Sequence, residues 1–380
     1  MPLQQLGYRK PSLRELHRVW NRTRRGKLPL TAPPSVSFSV PLAILHGDPL
    51  VVYGGIVPDA PLGPASFLTR ERSREPAWFL LSPTWSLENP SLVRSIRRYA
   101  VLHRRRHPAH RLIFLGSTET EVDLLRAAGE AAFLHNKTTH VSEQLFRPLP
   151  DVTVEFDAVY NAQLLPWKRH ELAVDIARCA FLYYRSRHGY ASTAASEAAL
   201  IQGHLARAPA HEFLNPFDAK GDPVRLSPTE VNRHLNRAAV GLCLSEAEGA
   251  MFACVEYLLA GLPVVTTPSQ GGRSFFVDEA TCVTAAPDAR AVADAVAALR
   301  ERGWSREEVR ERTLRRVRDE RGRFAALVRG VYDEAGIREP FVGLWARPSP
   351  VVMRWTEGAE VRTRLRAGLA DDFGQHEATA

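Results

Sequence analysis

The sequence predicts an α/β protein of two Rossmann-like domains, and three observations predict it. A chain of 380 residues is longer than one typical domain and suits two. Short β-branched and aromatic runs alternate with helical runs along most of its length, which is the pattern of parallel sheets covered on both faces. The alternation is interrupted at residues 146–150 (FRPLP), whose two prolines read as a linker. The expected division is a first domain over 1–150, a second over 151–340, and a C-terminal segment and tail over 341–380.

Residues 12–23 read as a basic helix followed by a proline-rich connector (LPLTAPP). SVSFSVPLAIL, PLVVYGG and AWFLLSP are strand candidates. Residues 90–106 form a helix with Asn89 or Ser91 near its cap, RLIFLG a strand, 118–128 a helix closed by Gly129, and EAAFLHN a short strand. Beyond the linker, TVEFDAVYNA is a strand, KRHELAVDIARC a helix and AFLYYRS a strand. A polar region leads to a helix over 228–239, the strand VGLCLS, the helix GAMFACVEYLLAG, the strand LPVVTTP, then CVTAA and a helix over 289–300. Residues 305–334 are an Arg- and Glu-rich helix in which Glu308 with Arg312, Glu311 with Arg315, and Asp319 with Arg323 have supportive i,i+4 spacing. The closing GLADDFGQHEATA reads as a disordered tail. No long-period repeat is evident.

Composition narrows the function. Charged residues at 24% and hydrophobic ones at 45% are ordinary for a soluble globular protein. There is no apolar stretch of about 18 residues and no signal-peptide core, so a cytoplasmic protein without stable membrane insertion is expected. Cys179, Cys243, Cys254 and Cys282 lack a CxxC pair and sit among apolar residues, as buried free thiols do. The thirteen histidines include no HExxH and no compact cluster, so neither a metal nor a cofactor is expected. The net charge of +8 includes two basic runs, RTRRGK (22–27) and HRRRH (103–107). Clustered cations suit nucleic acid, but no helix-turn-helix, zinc finger or aromatic-basic RNA signature accompanies them. Solvated helix faces, or attraction of an anionic small molecule, fit better.

The segment that carries chemistry is 236–278, NRAAVGLCLSEAEGAMFACVEYLLAGLPVVTTPSQGGRSFFVD. A buried strand runs into an acidic, glycine-bearing loop (246–249), and a helix follows directly. A helix amino terminus offers unpaired N–H groups to an anion, and Gly249 lets a ligand approach the backbone. Such loops lie outside the carboxyl ends of strands, where open α/β sheets bind ligands. Glu248 and Glu256, with seven residues between them, can accept hydrogen bonds from the hydroxyls of a ribose at one end and a hexose at the other. The next strand ends in a turn, Gly271, Gly272 and Arg273, whose N–H groups can face the same ligand.

This ordered string resembles the donor-site signature of retaining GT-B glycosyltransferases of the group 1 type, which carry two glutamates with seven residues between them. Their strand, S-x-x-E-G, E-A-x-A-x-G-x-P-V-V and Gly-Gly turn correspond to Ser245–Gly249, Glu256 through Gly261 to Val265, and Gly271–Gly272. The resemblance implies a GT-B fold with a nucleotide sugar bound in a central cleft between the two domains. It implies that Glu256 binds the ribose and Glu248 the transferred sugar, with the backbone of Gly249, Ala250 and Met251 near the diphosphate. The donor would be a substrate, not a resident cofactor.

Two further pieces agree. In DAVYNAQLLPWKRHELA (157–173), Pro166 and Lys168 match the family's Pro and Lys at the first turn of the second domain, where cations grip the diphosphate. The family's Gly-Arg pair is replaced by Asn161 and Ala162, and Arg169 or Arg273 can supply the missing cation. Lys168 and Arg169 can equally be an exposed first-turn pair. VRLSPTEVNRHLNRAA (224–239) resembles the strand and helix that hold the base through backbone contacts, around Leu226. The pattern thus covers 151 to about 300. The first domain matches poorly: Tyr53 to Gly55 is the nearest candidate for a glycine-rich acceptor loop, and His46, His107 or His135 for a polar group near the reacting sugar.

The resemblance therefore implies transfer from a nucleoside diphosphate sugar to an acceptor hydroxyl with retained anomeric configuration, catalysed chiefly by Lys168 and Glu248 without metal. A small soluble acceptor is expected. A non-catalytic GT-B-like protein that binds a sugar nucleotide, or a partner, is the rival reading. The Ala- and Arg-rich composition is that of a GC-rich bacterial genome.

Overall fold

A computed structural model describes residues 38–68, 74–185, 192–345 and 352–371. The expected helix at 12–23, its connector, the run RTRRGK and residues 372–380 lie outside them. The chain forms two α/β units, one from 1–136, 328–341 and 353–372, the other from 137–327, 342–352 and 373–380. Each holds a Rossmann-like sheet and its own core. The first turn after Asn136 already packs into the second core through Val141 and Phe146, which puts the change of unit ahead of the FRPLP stretch.

The first unit has the sheet order β12-β1-β2-β3-β4-β5. β2 (Leu50–Ile56), β3 (Ala77–Pro83), β4 (His110–Gly116) and β5 (Ala132–Leu134) run parallel. β1 (Ser39–His46) joins β2 antiparallel. Helices α1 (Pro90–Arg106) and α2 (Glu119–Ala127) connect the parallel strands. The side chain of Asn89 caps α1 by accepting from the N–H of Ser91 at 2.9 Å, and Gly129 ends α2 with φ 80°. The buried face of α1 is Val93, Ile96, Ala100 and His103.

The C-terminal segment completes this unit. β12 (Arg354–Glu357) pairs antiparallel with β1, and α8 (Gly358–Ala367) buries Val361 and Leu365 in its core. Residues 368–371, expected to open a disordered tail, are instead held to this unit. Asp371 accepts from the N–H of Ile44 at 2.7 Å and pairs with Arg364 at 2.7 Å, which ties residues 368–371 to β1 and α8. The sequence hides this because a four-residue edge strand has too little pattern to read.

The second unit has an all-parallel sheet, in order β11-β10-β9-β6-β7-β8. Its strands are β6 (Phe156–Asn161), β7 (Cys179–Leu182), β8 (Glu212–Phe213), β9 (Ala238–Cys243), β10 (Val264–Thr266) and β11 (Cys282–Thr284). The chain starts in the middle at β6, proceeds to β7 and β8 on one side, then returns to β9, β10 and β11 on the other. The strand order reverses between β6 and β9, and the crevice at such a switch point is where this architecture binds ligands. Helices α3 (Ala194–Leu205), α4 (Pro228–Asn236), α5 (Phe252–Leu259), α6 (Ala289–Glu301) and α7 (Arg306–Ala335) are interspersed with the strands. The unit boundary at Val328 falls inside α7.

One expected helix is absent. In place of KRHELAVDIARC (168–179) as a helix, one short 3₁₀ turn, Pro166–Lys168, ends at its first residue and a second, His170–Ala173, follows. Arg169 between them has φ 53°, a left-handed conformation that breaks a helix. All four cysteines are buried and free.

Candidate active site

The carboxyl ends of β6, β9 and β10 gather most of the residues that the sequence singled out. Asn161 ends β6. Its N–H donates to the Tyr257 hydroxyl at 2.6 Å, and its side-chain amide donates to Glu256 Oε2 at 3.3 Å. Tyr257 reaches β6 from α5 by lying across Gly241 on β9, where an added Cβ would come within 2.4 Å of the ring. That close approach is the reason for a glycine in the middle of a buried strand.

The acidic loop after β9 is stitched on both sides. The Glu246 N–H donates to the Trp167 carbonyl at 3.0 Å, and Glu246 accepts from the Gln270 N–H at 3.1 Å. The Glu248 N–H donates to the Gln270 carbonyl at 2.9 Å, and the Gly272 N–H to the Gly249 carbonyl at 3.2 Å. Gly271 has φ 92°, which favours glycine and turns the chain back toward the loop. The Gly-Gly turn therefore lies beside the loop, with the Gly272 N–H spent on the loop itself. α5 starts later than expected: Met251 is its N-cap, so Gly249, Ala250 and Met251 bridge from Glu248 to the helix.

Three cations take partners that the sequence could not show. Lys168 is not an exposed first-turn side chain. Its Nζ donates to Glu248 Oε1, and each side chain is only 13% exposed. The buried Tyr160 hydroxyl donates to the Lys168 carbonyl at 2.6 Å, while Ser245 Oγ donates to Glu248 Oε1 at 2.7 Å. Arg169 and Arg273 both turn under the loop onto main-chain carbonyls. Neither of these two projects as a simple replacement for the arginine whose place Ala162 takes; Ala162 itself is buried.

Glu256 is partly covered, and loss of hydration pushes its carboxyl up to about 7; the Asn161 amide and the charge of Arg225 oppose the rise. Arg225 lies over the ring of Tyr184 at 5.0 Å, and the Tyr184 phenol senses Arg225, Glu248 and Glu256 together. Neighbouring Leu226 packs against the core. Tyr184, Arg225, Ser245 and Tyr257 were not on the sequence list of site residues. Tyr257 and Tyr184 read as core aromatics, and only their neighbours in space show otherwise. Among the described residues no group of three or more His, Cys, Asp or Glu could hold a metal ion.

Residues 220–302 match the family model described as Glycosyl transferases group 1. The match spans Leu226, Glu248, Glu256 and the Gly271–Gly272 turn, and stops short of Asn161 and Lys168. No curated protein matches the chain. Among solved structures, Anabaena HepE in complex with UDP and glucose is similar at 16% identity and a TM-score of 0.48, over 67% of this chain and 71% of that one. A glycosyltransferase from Rickettsia africae gives 14% identity and 0.48 over 69% and 72%. Sucrose-phosphate synthase from Thermosynechococcus elongatus gives 12% and 0.44 over 68% and 89%. These scores lie below one half, and the reading of the site rests on its own residues and on the family match.

The weaker candidates belong to the first unit. Tyr53 to Gly55 is not a loop but the interior of β2, where an added Cβ at Gly54 would meet the Pro64 ring at 2.3 Å and one at Gly55 the Pro41 ring at 2.5 Å. Those glycines serve packing. The Nδ1 of His46 lies 2.7 Å from the Pro49 carbonyl, and His107 stacks against the rings of both His103 and His110, which also touch each other. His135 is buried just past β5, with its Nε2 3.4 Å from the Tyr53 hydroxyl. Of the three, His135 alone stands at the carboxyl edge of the parallel strands. No described helix is long and apolar enough to cross a membrane.

Proposed function

We propose that this chain is a retaining glycosyltransferase that moves a sugar from a nucleoside diphosphate sugar to an acceptor hydroxyl. The observation that carries the reading is the meeting of Asn161, Lys168, Glu248 and Glu256 where the strand order reverses between β6 and β9. Glu256, beside Asn161, is suited to accept from ribose hydroxyls, and Glu248 from those of the transferred sugar. Backbone N–H groups at Gly249, Ala250 and Met251 are the candidates for the diphosphate, and the backbone near Leu226 for the base; the Gly272 N–H is engaged by the Gly249 carbonyl. As the glycosidic bond breaks, negative charge grows on the departing phosphate. Lys168 would stabilise that charge once a donor draws it from Glu248, and bound geometry would hold the acceptor in line. The leaving phosphate is the natural proton acceptor for the attacking hydroxyl, since in this reading Lys168 stays cationic beside the phosphate and Glu248 is engaged by the hydroxyls of the sugar. A small soluble acceptor fits this reading.

The second reading is a non-catalytic protein that binds a sugar nucleotide. Ala162 at the family's arginine position, with Arg169 engaged on carbonyls, favours it.

A thermal-shift screen of nucleoside diphosphate sugars identifies the donor, since a tight ligand raises the melting temperature in line with RT ln(1 + [L]/Kd). With that donor, transfer or slow hydrolysis should proceed in EDTA, and NMR should show the donor's anomeric configuration in the product. Binding without turnover selects the second reading. An inverted product, or activity lost to EDTA and restored by a divalent ion, overturns the proposed mechanism.

A further inference from the structure

Two arginines converge beneath the loop that carries Ser245 and Glu248. Arg169 donates through Nε to the Leu244 carbonyl at 2.6 Å, and through one terminal nitrogen to the Ser245 carbonyl at 3.0 Å and Thr267 Oγ1 at 2.8 Å. Arg273, only 2% exposed, donates to the carbonyls of Ser245 and Thr267. One carbonyl thus accepts from both guanidinium groups. Every acceptor is neutral, and among the described residues neither arginine makes a salt bridge with a carboxylate. Buried charges are ordinarily paired. Here two of the same sign share one anchor, and the guanidinium of Arg169 is held below its usual range by burial first and by Arg273 second, with the carboxylates of Glu246 and Glu171 opposing without a direct ion pair.

The backbone shows the same commitment. Arg169 is the one non-glycine residue with positive φ among the described residues, at 53°. A left-handed residue with a side chain is disfavoured, and such outliers cluster where a site needs them. Its position follows Lys168, whose Nζ reaches Glu248 on the other side of the same loop.

We propose that Arg169 and Arg273 are positioning residues that make this loop a site for a multiply charged phosphate: their paired positive charge acts through the Ser245–Gly249 backbone without touching the ligand. This rests on the donor-site reading above and deepens it. The cationic requirement that the resemblance assigns to an arginine at position 162 is met from behind the loop, and Lys168 alone reaches the ligand. The site should therefore favour diphosphate strongly over an uncharged nucleoside.

The test uses the full chain and calorimetry with uridine, guanosine and adenosine diphosphates, the matching nucleosides, and inorganic pyrophosphate. Arg169→Met and Arg273→Met remove a charge; Arg169→Lys and Arg273→Lys keep it and lose the fork. The Met variants should bind the preferred diphosphate roughly tenfold or more weakly, as expected for a nearby buried charge. Their nucleoside affinity should change by less than about twofold, and the Lys variants should stay close to wild type. Met variants that weaken diphosphate and nucleoside equally, or change neither, would overturn the proposal, as would Lys variants that fall as far as Met. Should Arg273→Met not fold, the Arg169 pair of variants decides alone. Pyrophosphate binding without any nucleotide binding, lost in Arg169→Met, would keep the arginine pair and sink the donor reading. Binding of neither would sink both.

Discussion

Lys168 Nζ donates to Glu248 Oε1, the same oxygen that accepts from Ser245 Oγ at 2.7 Å. The cation suited to a phosphate is therefore neutralised by the carboxylate suited to a sugar. A ligand with both groups can replace the pair, its phosphate meeting Lys168 and its hydroxyls meeting Glu248. A ligand with phosphate alone must leave the carboxylate unpaired, which is costly in a covered site. Glu248→Gln should consequently raise affinity for the free nucleoside diphosphate by about 1.5 kcal/mol, the scale of a hydrogen bond to a charged group. It should also depress turnover of the sugar donor. Lys168→Ala should weaken the diphosphate more than the nucleoside. Calorimetry in which Glu248→Gln loses diphosphate affinity would show that the pair does not compete with phosphate.

Glu256 titrates at about 7 because its carboxyl is desolvated, with Asn161 and Arg225 acting against the shift. Its folded value lies above the unfolded one, so the stability it contributes is present at low pH and is lost as pH rises through about 7. Ligand binding should run the other way. Only the ionised form offers both oxygens to ribose hydroxyls, so nucleoside affinity should rise between pH 6 and pH 8. A nucleoside is the right probe, since it carries no titrating phosphate. Glu256→Ala should weaken binding by roughly 1.5–3 kcal/mol, and Glu256→Gln should flatten the pH profile. A profile that keeps its slope in Glu256→Gln assigns the titration elsewhere.

The histidines of the first unit predict acid sensitivity. His103 Nε2 lies 2.9 Å from His110 Nδ1, and His107 stacks on both rings. His103 is held down to about 3 by burial, then by His110, His107, Arg104 and Arg106. The second unit repeats the device seven residues apart, with His204 Nε2 2.9 Å from His211 Nδ1 and His204 lowered to about 4. A depressed folded value means that stability is full above the unfolded value and falls as pH drops below it. From an unfolded value near 6.5, His103 alone should cost at most about 2 kcal/mol at pH 5. Urea unfolding at pH 7.5 and pH 5 should show that loss, and His103→Gln should reduce the difference. An unchanged difference would move the acid sensitivity to other groups.

The HRRRH run bears on membranes. His103 and His107 are buried, Arg104 pairs with Glu130, and Val93, Ile96 and Ala100 of the same helix are in the core. Val101, 37% exposed, is the one large apolar side chain of α1 counted as exposed. Charge without insertion is largely screened at physiological ionic strength. Sedimentation with anionic liposomes should therefore be weak at about 0.15 M salt. Persistent co-sedimentation there, with activity only on a lipid-linked acceptor, would replace the small soluble acceptor in the proposal.

Much of the second unit was legible from its residues. The succession of β6, β9, α5 and β10 follows from local pattern, and the order Ser245, Glu248, Gly249, Glu256, Gly271, Gly272 is a property of the string itself. Asn89 and Gly129 marked helix ends because capping is a local hydrogen-bond problem. Even the replacement of arginine by Ala162 was visible as a departure.

Tertiary structure decided what those residues face. Whether Lys168 is solvated or paired depends on Glu248, eighty positions away, and whether Arg169 reaches a ligand or a carbonyl depends on the ends of β9 and β10. A left-handed arginine that breaks an otherwise helical pattern is stabilised by those distant acceptors, and no local propensity encodes it. The same holds for β12, which exists because β1 presents an edge to pair with. Sequence determines periodicity, caps and motif order, since these are set by neighbours along the chain. The charge state of Glu256, the pairing of Lys168 and the role of the arginines come from packing, since burial and counter-charges are supplied by strands far apart in sequence.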